Sequence, residues 1–440
     1  MTDRNFRVTL WEITADTVRQ IVSSQHSGAA MSKRWMIGAR GALLLSALLA
    51  SGCSPGSEET LAPAELPVAA AGGSITPRLA GGGDRPLVLS WLEPIAEGVA
   101  LRVATLGASG WGPPRTVREG QDWFVNWADF PSVAPLSDSL WAAHWLVKQP
   151  GGPYAYDVVM AVSGDGGDSW SDDVALHDDG TPTEHGFVSL FPWQHGAGAV
   201  WLDGRETLTD AGSMTLRAAV VGADGSVEHQ SVIDDLVCDC CPTAAAVASS
   251  GPVVVYRNRT ADEVRDIHVT RAVDGQWEAG RSVADDGWVI AGCPVNGPAI
   301  AAQGDRVVVA WYTAPAGEGK IRVAFSDDSA ASFHDAIDVA SGRVAGRVDV
   351  VLVGAGDAVV SWLEMPGAQS GAEIAELRAR RMSHSSTGEH SHLIAQTGTG
   401  RPAGFPQMRV DGEHLVFAWT DTRHEVSRVR SARVASASIR

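Results

Sequence analysis

Short apolar segments that end in an aromatic residue recur along most of the chain. LVLSW, VVVAW and AVVSW are examples, and in each the aromatic follows about four largely apolar residues. The closing residues are Trp91, Trp145, Trp201, Tyr256, Trp311, Trp362 and Trp419, spaced by 54, 56, 55, 55, 51 and 57 residues. This regularity indicates an internal repeat whose period is too long for helical solenoid repeats.

Each repeat has the pattern of four short strands. An apolar strand and a Gly-containing turn precede the aromatic segment, as in PAIAAQGDRVVVAW. A variable loop, an alternating strand such as KIRVAFS, a polar turn and a short strand such as AIDVAS follow it. Four strands per repeat are typical of a propeller blade. The 48 glycines and the lack of a long period of 3.6 residues argue against a helical fold.

We therefore predict an all-β fold, a single β-propeller of four-stranded blades over residues 64–440. The seven aromatic markers favour seven blades, with six as the alternative, and should pack between blades. The last repeat lacks a fourth strand, whereas ELPVAAAGGSITPRLA, before the first repeat, resembles the link before the last repeat. We expect an N-terminal strand near residues 65–70 to complete the last blade and close the ring.

The charge of the chain restricts its partners. The formal net charge is −18, and it becomes about −21 without residues 1–52, which hold six Lys and Arg against three Asp and Glu. A body this acidic is not expected to bind nucleic acid or an anionic membrane surface.

Residues 31–52 have the pattern of an export signal. A basic start with Lys33, Arg34 and Arg40 precedes an apolar segment, residues 41–50, that is too short to span a bilayer stably. The small residues directly before Cys53 resemble a bacterial lipobox, which implies that the Cys53 thiol carries a lipid such as palmitate.

The signal suggests how the rest of the N-terminal region is organised. Residues 1–30 precede a complete signal, so we expect translation to begin at Met31. Residues 53–63, rich in Pro, Glu and small residues, should form a flexible tether. The predicted location is the bacterial cell envelope, with a lipid anchor in a membrane and the body in an oxidising periplasmic or extracellular compartment.

One turn carries a resemblance to a known family. Ser163, Asp165, Gly167 and Trp170 fit the pattern S-x-D-x-G-x-x-W, and a degenerate copy spans residues 326–333. This pattern resembles the Asp box of the sialidase-like (BNR repeat) β-propeller superfamily. The resemblance implies a structural turn between the third and fourth strands of a blade, on the face away from an active site.

The resemblance also implies glycan handling. Sialidases have six blades and use an arginine triad that begins in an R-I-P motif, a tyrosine nucleophile paired with a glutamate, and an aspartate acid/base. This chain has no R-I-P motif and four tyrosines, of which Tyr154 and Tyr156 lie outside the core positions of the repeat. Whether it is an enzyme is left open; if it is, a glycoside hydrolase of sialidase-like type is expected.

Loops entering each first strand, and loops between second and third strands, should converge on one end of the channel, the mouth. Candidate ligand-binding residues in these loops are Arg205, Arg257, Arg259, Arg265, Arg423, Trp123, Trp127 and Trp288. Guanidinium groups suit carboxylate, sulfate or uronate ligands, and tryptophans stack on sugars. Alternatively, these arginines pair with neighbouring aspartates and the tryptophans are buried plugs. The candidate catalytic residues are Asp203, Glu206 and Asp266.

Four of the five cysteines lie close together in the sequence. Cys238, Cys240, Cys241 and Cys293 occupy two successive mouth loops, and Cys241 and Cys293 each precede a proline. Two disulfides are expected in an oxidising compartment, one of them joining the first loop to Cys293. The alternative is a thiolate metal site helped by His185 or His268; no other cofactor is expected.

The combined prediction is an exported, lipid-anchored propeller that binds, and in one version hydrolyses, a glycan or other anionic ligand at the cysteine-bearing mouth. The alternative is a non-catalytic scaffold or assembly factor that binds a protein partner, with a metal or redox site at the cysteines.

The lipid anchor can be tested by the substitution Cys53→Ser. The variant should leave the membrane fraction or fail to mature, because its thiol is the predicted acylation site. Ser54→Ala, which keeps the thiol, is the control and should fractionate like the unaltered protein. Unchanged membrane association of Cys53→Ser, with no lipid mass on the natural N-terminal peptide, would contradict the prediction.

Overall fold

Antiparallel strands account for nearly all the regular structure of the chain. The computed structural model describes residues 62–209, 212–365, 367, 373–388 and 390–440. The predicted signal, Cys53 and most of the tether lie outside the described residues. Within the described part of the chain, no helix is long and apolar enough to cross a membrane. Among these same residues, short 3-10 turns occur at Arg205–Leu208, Pro315–Gly317, Arg401–Ala403 and Ser436–Ser438.

Seven sheets form the blades, and each repeat supplies one blade, so the prediction of a seven-bladed propeller is confirmed. The strands of blades 1 to 4 are Ile75–Gly82, Arg85–Ile95, Gly98–Gly107, Gly110–Trp111 and Arg115–Gly120; Ser132–Pro135, Trp141–Lys148, Tyr156–Ser163 and Val174–Ala175; His185–Trp193, Gly196–Asp203, Thr215–Val221 and Val227–Asp234; and Ala244–Ala248, Gly251–Arg257, Ile267–Val273, Gln276–Trp277 and Arg281–Ser282.

The strands of blades 5 to 7 are Ala299–Gln303, Arg306–Thr313, Gly319–Ser326 and Ile337–Gly342; Val344–Val353, Asp357–Glu364, Ile374–Ser383, Ser386–Thr387 and His392–Gly398; and Gln407–Asp411, His414–Asp421, Arg428–Ala435 and the N-terminal Ala64–Glu65. Neighbouring strands pair in chain order and antiparallel, and the first strand of each blade is innermost. Gln303 lies opposite Arg306, so Gly304 sits in a tight turn, and its φ of +62° favours glycine.

Each marker aromatic packs against the preceding blade. Trp201 of blade 3 lies in one buried cluster with Leu146 and Val158 of blade 2. Trp91 of blade 1 lies in a cluster with Val416 of blade 7. Seven such clusters fill the seven interfaces between blades. The core is therefore divided into wedges around the ring.

The N-terminal strand completes the last blade, as expected, at residues 64–65. Ala64 and Glu65 pair with Arg433 and Ala432. The Leu66 N–H donates to the Ser431 carbonyl at 2.9 Å, and the Leu66 side chain is buried between blades 7 and 1. The two ends of the propeller are thus joined through one sheet.

The Asp-box turn lies between the third and fourth strands of blade 2. Asp165 Oδ1 accepts hydrogen bonds from the Ser163 hydroxyl at 2.7 Å and from the Ser169 N–H at 2.9 Å. Gly167 has a φ of +80°, and a Cβ there would lie 2.7 Å from the Trp141 ring. A hydrogen bond from the Ser169 hydroxyl, together with these two, lowers the pKa of Asp165. Trp170 packs against the cluster between blades 1 and 2.

The degenerate copy in blade 5 has the same design. Asp328 Oδ1 accepts from the Ser326 hydroxyl at 2.8 Å and from the Ser332 N–H at 2.8 Å. Both turns lie at the end of the propeller opposite the mouth, because they connect third to fourth strands. These turns stabilise the blades and do not contribute residues to the mouth.

Deleting residues 62–72 should destabilise the protein by about 3 kcal/mol or more, because the deletion removes the closing strand and the buried Leu66 side chain. The free energy of unfolding in urea measures this effect. Deleting residues 54–61 is the control, since it shortens only the predicted tether and should have little effect. Equal stability of the two deletion variants would show that strand closure does not hold the ring together.

Candidate functional site

The mouth is formed by the loops that enter the first strands and those between second and third strands. All the ligand-binding candidates from the sequence lie in these loops or at their edges. The structure gives most of them partners inside the protein, and those partners decide which side chains a ligand could reach.

Arg257 is a structural residue. Its side chain is buried and donates four hydrogen bonds to main-chain carbonyls: two to Asn296, one to Arg265 and one to Tyr312. Its guanidinium group also lies over the Trp288 ring, 4.9 Å from the centroid. The interpretation of Arg257 as a ligand-binding residue therefore fails, because its donors tie blade 4 to blade 5.

The other four candidate arginines are ion-paired within the mouth. Each of two arginines forms a bidentate ion pair with the carboxylate two residues before it, Arg205 with Asp203 and Arg423 with Asp421. Arg259 and Arg265 share Glu263, at 2.5 and 2.7 Å. These four arginines therefore pair with carboxylates of the protein itself, which was the alternative interpretation from the sequence. A ligand carboxylate would have to compete with a carboxylate already in place.

The three candidate tryptophans differ in exposure. Trp123 is buried and stacks on the marker Trp145 with ring centroids 5.6 Å apart. Trp288 is also buried, against Arg257 and Tyr312. These two side chains are plugs, so the proposed sugar-stacking rim is reduced to the half-buried Trp127.

Trp127 belongs to a cluster at the centre of the mouth, which we call the central cluster. It consists of Arg78, Trp127, Phe130, Arg347 and Phe405. Arg347 lies 4.9 Å from the Trp127 ring centroid, and Trp127 stacks on Phe405 at 5.9 Å. Burial lowers the pKa of Arg347 to about 10, so it is a cation at neutral pH. Sequence reasoning missed Arg347, which no local motif marks.

The carboxylates considered as catalytic residues do not form a catalytic pair. Asp203 is fully buried and accepts from Trp201 Nε1 at 2.8 Å as well as from Arg205. Asp266 is buried and accepts from the N–H groups of Gly287 and Trp288, which fixes that loop. Glu206 is exposed beside Arg217. Asp203 and Asp266 thus have structural partners that account for their positions.

A different pair of acids meets at a tyrosine, in what we call the Tyr156 network. The Tyr156 hydroxyl lies 2.6 Å from Asp129 Oδ2 and 2.9 Å from Glu184 Oε1. Burial raises the pKa of Asp129 to about 7 and that of Glu184 to about 8. One phenol can donate to only one of two acceptors, so a proton on one carboxyl completes the network. The sequence marked Tyr156, but not these acids.

Three cysteines converge in the loop that enters blade 4. Cys238 Sγ lies 3.3 Å from Cys241 Sγ and 3.9 Å from Cys240 Sγ. All four described cysteines are free thiols, so the expected disulfides are not formed in the structure. Hydrogen bonds from Cys240 and Cys241 lower the pKa of Cys238. Cysteine sulfurs in this arrangement could hold a soft metal ion.

The predicted histidine helpers lie in other surroundings. The His268 ring lies edge-on to the Tyr256 ring, with the ring centroids 6.0 Å apart. His185 is fully buried, and its ring stacks on that of His177 at 3.7 Å. His185 Nε2 lies 3.2 Å from Asp179 Oδ2 and 3.7 Å from Asp203 Oδ1.

This histidine–aspartate group is a second place where carboxylates and imidazoles could hold a metal ion. Arg205 bridges Asp179 and Asp203, at 3.2 and 2.7 Å, and so already supplies a cation. Stacked imidazoles direct their ring nitrogens outward in parallel planes, which does not suit a shared ion. The group is best explained as a buried charge network between blades 2 and 3.

No protein-family model matches the chain, and no match was found among the curated proteins. Among solved structures, a mutant of the NanB sialidase from Streptococcus pneumoniae is 10% identical over 86% of this chain and 71% of its own, with a TM-score of 0.43. Trypanosoma rangeli sialidase is 12% identical over 74% of this chain and 56% of its own, with a TM-score of 0.43. An α-L-arabinofuranosidase from Fusarium graminearum is 12% identical over 71% of this chain and 94% of its own, with a TM-score of 0.45.

The chain therefore spans little more than half the length of the trypanosomal sialidase. Likeness at this level has no bearing on activity. The propeller of four-stranded blades predicted from the repeat is the fold that the seven described blades form.

The Tyr156 network predicts that Asp129→Asn will weaken the pH dependence of stability. The folded protein retains protons that the unfolded chain releases above about pH 4, so the free energy of unfolding should fall as pH rises from 4 to 8. Each retained proton contributes a slope of about 1.4 kcal/mol per pH unit.

Urea unfolding at pH 5, 6, 7 and 8 measures this slope. The amide introduced by Asp129→Asn keeps an oxygen acceptor for Phe187 N–H, so the variant should fold and lose the part of the slope that Asp129 contributes, while buried Glu184 keeps its own part. Asp138→Asn, at an exposed position, is the control and should keep the slope. Parallel pH profiles for Asp129→Asn and Asp138→Asn would contradict the raised pKa of Asp129.

Proposed function

We propose that the protein is an exported, membrane-anchored propeller that binds an anionic ligand, a carboxylated glycan, at the centre of its mouth. The observation that carries the proposal is the position of Arg347. This half-buried arginine lies over a half-buried tryptophan and, in the part of the chain that the structure describes, has no carboxylate partner. The anchor rests on the sequence from Met31 to Cys53.

The free edge of Arg347 suits a carboxylate. Both hydrogen bonds from its guanidinium group start at Nη1 and end on the carbonyls of Gly400 and Gly404, at 3.3 and 3.2 Å. Among the described residues, its Nε and Nη2 groups donate no hydrogen bond. These two groups form the fork that binds a carboxylate with two parallel hydrogen bonds.

The surroundings of Arg347 suit a sugar. Trp127 is held in place by Phe405, so its orientation is fixed before a ligand arrives. Arg78 lies over Phe130, 5.5 Å from the ring centroid, and adds a second cation that forms no ion pair with a described residue. The rest of the body is strongly acidic, so these cations distinguish the central cluster from the surface around it.

Binding without hydrolysis is the version that the geometry favours. The Tyr156 network contains the residue types that sialidases use, a tyrosine with a glutamate and an aspartate. However, Tyr156 is fully buried, and Phe124 stacks on its ring at 4.0 Å. A nucleophile must contact the bond that it attacks, and this hydroxyl has no route to a ligand in the mouth.

Calorimetric titration with sialylated, uronate-containing and neutral oligosaccharides tests the proposal. An acidic oligosaccharide should bind, the neutral ones should not, and Arg347→Gln should weaken binding by about 10- to 150-fold, the worth of one charge-assisted contact. Arg423→Gln, which removes an ion-paired arginine of the same mouth, is the control and should bind like the unaltered protein. Absence of binding to every acidic oligosaccharide, or equal binding by Arg347→Gln, would refute the proposal.

A further inference from the structure

The cysteine loop, residues 236–243, holds three thiols around one point. The ligand atoms of Cys238, Cys240 and Cys241 all lie within 4.8 Å of one another, and Cys238 and Cys241 are buried. Cys293, in the next mouth loop, is exposed and interacts with Cys240. These four thiols could also form two disulfides, so the spacing of the sulfurs and the charge around them are what distinguish a metal site from disulfides.

The distances between the sulfurs fit a metal coordination shell. Zinc–sulfur bonds are about 2.3 Å long, which places neighbouring sulfurs of a tetrahedral site about 3.8 Å apart. The observed separations of 3.3 and 3.9 Å lie on either side of that value. Three thiolates could therefore bind one ion with only small side-chain movements.

Buried positive charge surrounds the same sulfurs. Arg265 is buried, and its Nη1 donates to Cys238 Sγ at 3.3 Å, while its other nitrogens bind Glu263. Arg257 is also buried, no described carboxylate pairs with it, and its positive charge interacts with the Cys238 and Cys241 thiols. Its carbonyl accepts the Cys238 N–H. A disulfide is neutral and would leave Arg257 without a counter-charge, whereas thiolates on a metal ion supply one.

We propose that Cys238, Cys240 and Cys241 bind one thiophilic d10 cation, Cu⁺ or Zn²⁺, as thiolates, with Arg257 and Arg265 balancing the negative charge of the complex. Soft thiolate ligands select these ions over Mg²⁺ or Ca²⁺. Cu⁺ is satisfied by three sulfurs, whereas Zn²⁺ takes a fourth ligand, for which Cys293 is placed. Binding releases the thiol protons to solvent, so affinity should rise with pH.

Metal titration of the full-length protein tests this proposal. The protein is purified in detergent and reduced without oxygen, and it is titrated with Cu⁺ or Zn²⁺ against a coloured chelator. We expect one tightly bound equivalent, with Cys238, Cys240 and Cys241 protected from alkylation. The relative affinities of the unaltered protein for the two ions identify the one that the site prefers. Cys293→Ser should retain Cu⁺ and weaken Zn²⁺, because only zinc takes the fourth thiolate.

Two arginine variants separate the thiolate site from the general stability of the mouth. Arg265→Gln removes the guanidinium that touches sulfur and should weaken metal binding by about 10- to 100-fold. Arg423→Gln is the control, because Arg423 lies at the same mouth but pairs with Asp421 of blade 7 and not with the cysteine loop. Equal metal affinity of the two variants would remove the arginine part of the proposal.

Cobalt provides a readout on the unaltered protein, which needs no substitution of a buried cysteine. Co²⁺ bound by thiolates should give the sulfur-to-metal charge-transfer absorption of a thiolate site, and zinc should displace it. The proposal would be overturned by the absence of this absorption together with no stoichiometric Cu⁺ or Zn²⁺. It would equally be overturned if protein from its native compartment held two disulfides and no metal.

Discussion

The mouth depends on one constraint, the closure of the ring by the N-terminal strand. Each blade is wedged between two neighbours, and the cluster around Trp91 exists only when blade 7 reaches blade 1. The central cluster crosses that same closure: Arg347 belongs to blade 6, Phe405 precedes blade 7, and Trp127 follows blade 1. A gap at the closing strand would therefore separate the residues that form the proposed ligand site.

Packing of the marker aromatics explains why so many mouth charges are paired internally. Strands alternate with a period of two, so a carboxylate two residues after a marker lies on the same face. Trp91, Trp201 and Trp362 each donate their indole N–H to such a carboxylate, Glu93, Asp203 and Glu364. Arginines then gather around these acids, as Arg205 does around Asp203. Arg347 differs because no acid lies within reach of its guanidinium group in the described chain.

The period of the aromatics made the blades, their number and the closing strand predictable from the sequence. Every repeat must bury an aromatic at the same place between two blades, so the same pattern occurs seven times. The mouth was less predictable. The partners of Arg257 include the carbonyls of residues 296 and 312, and a sequence does not show which main-chain groups a side chain will meet.

The Tyr156 network was predictable only in part. The position of Tyr156 outside the repeat core made it a candidate, but Asp129 and Glu184 come from loops whose paths depend on tertiary packing. The cysteines were found by proximity in the sequence, whereas their convergence on one point depends on the loop conformation.

The thiol cluster and the central cluster are joined by a continuous line of hydrogen bonds. The Cys238 N–H donates to the Arg257 carbonyl, and the Arg257 side chain donates to the Asn296 carbonyl at 2.8 and 3.1 Å. The Asn296 side chain in turn accepts the Arg347 N–H at 2.8 Å, where Arg347 has the uncommon φ of +57°. This hydrogen bond offsets part of the backbone strain, which costs about 1–3 kcal/mol at a non-glycine residue. Arg257, buried between blades 4 and 5, therefore helps to position the thiol loop through its carbonyl and the arginine proposed to meet the ligand through its guanidinium.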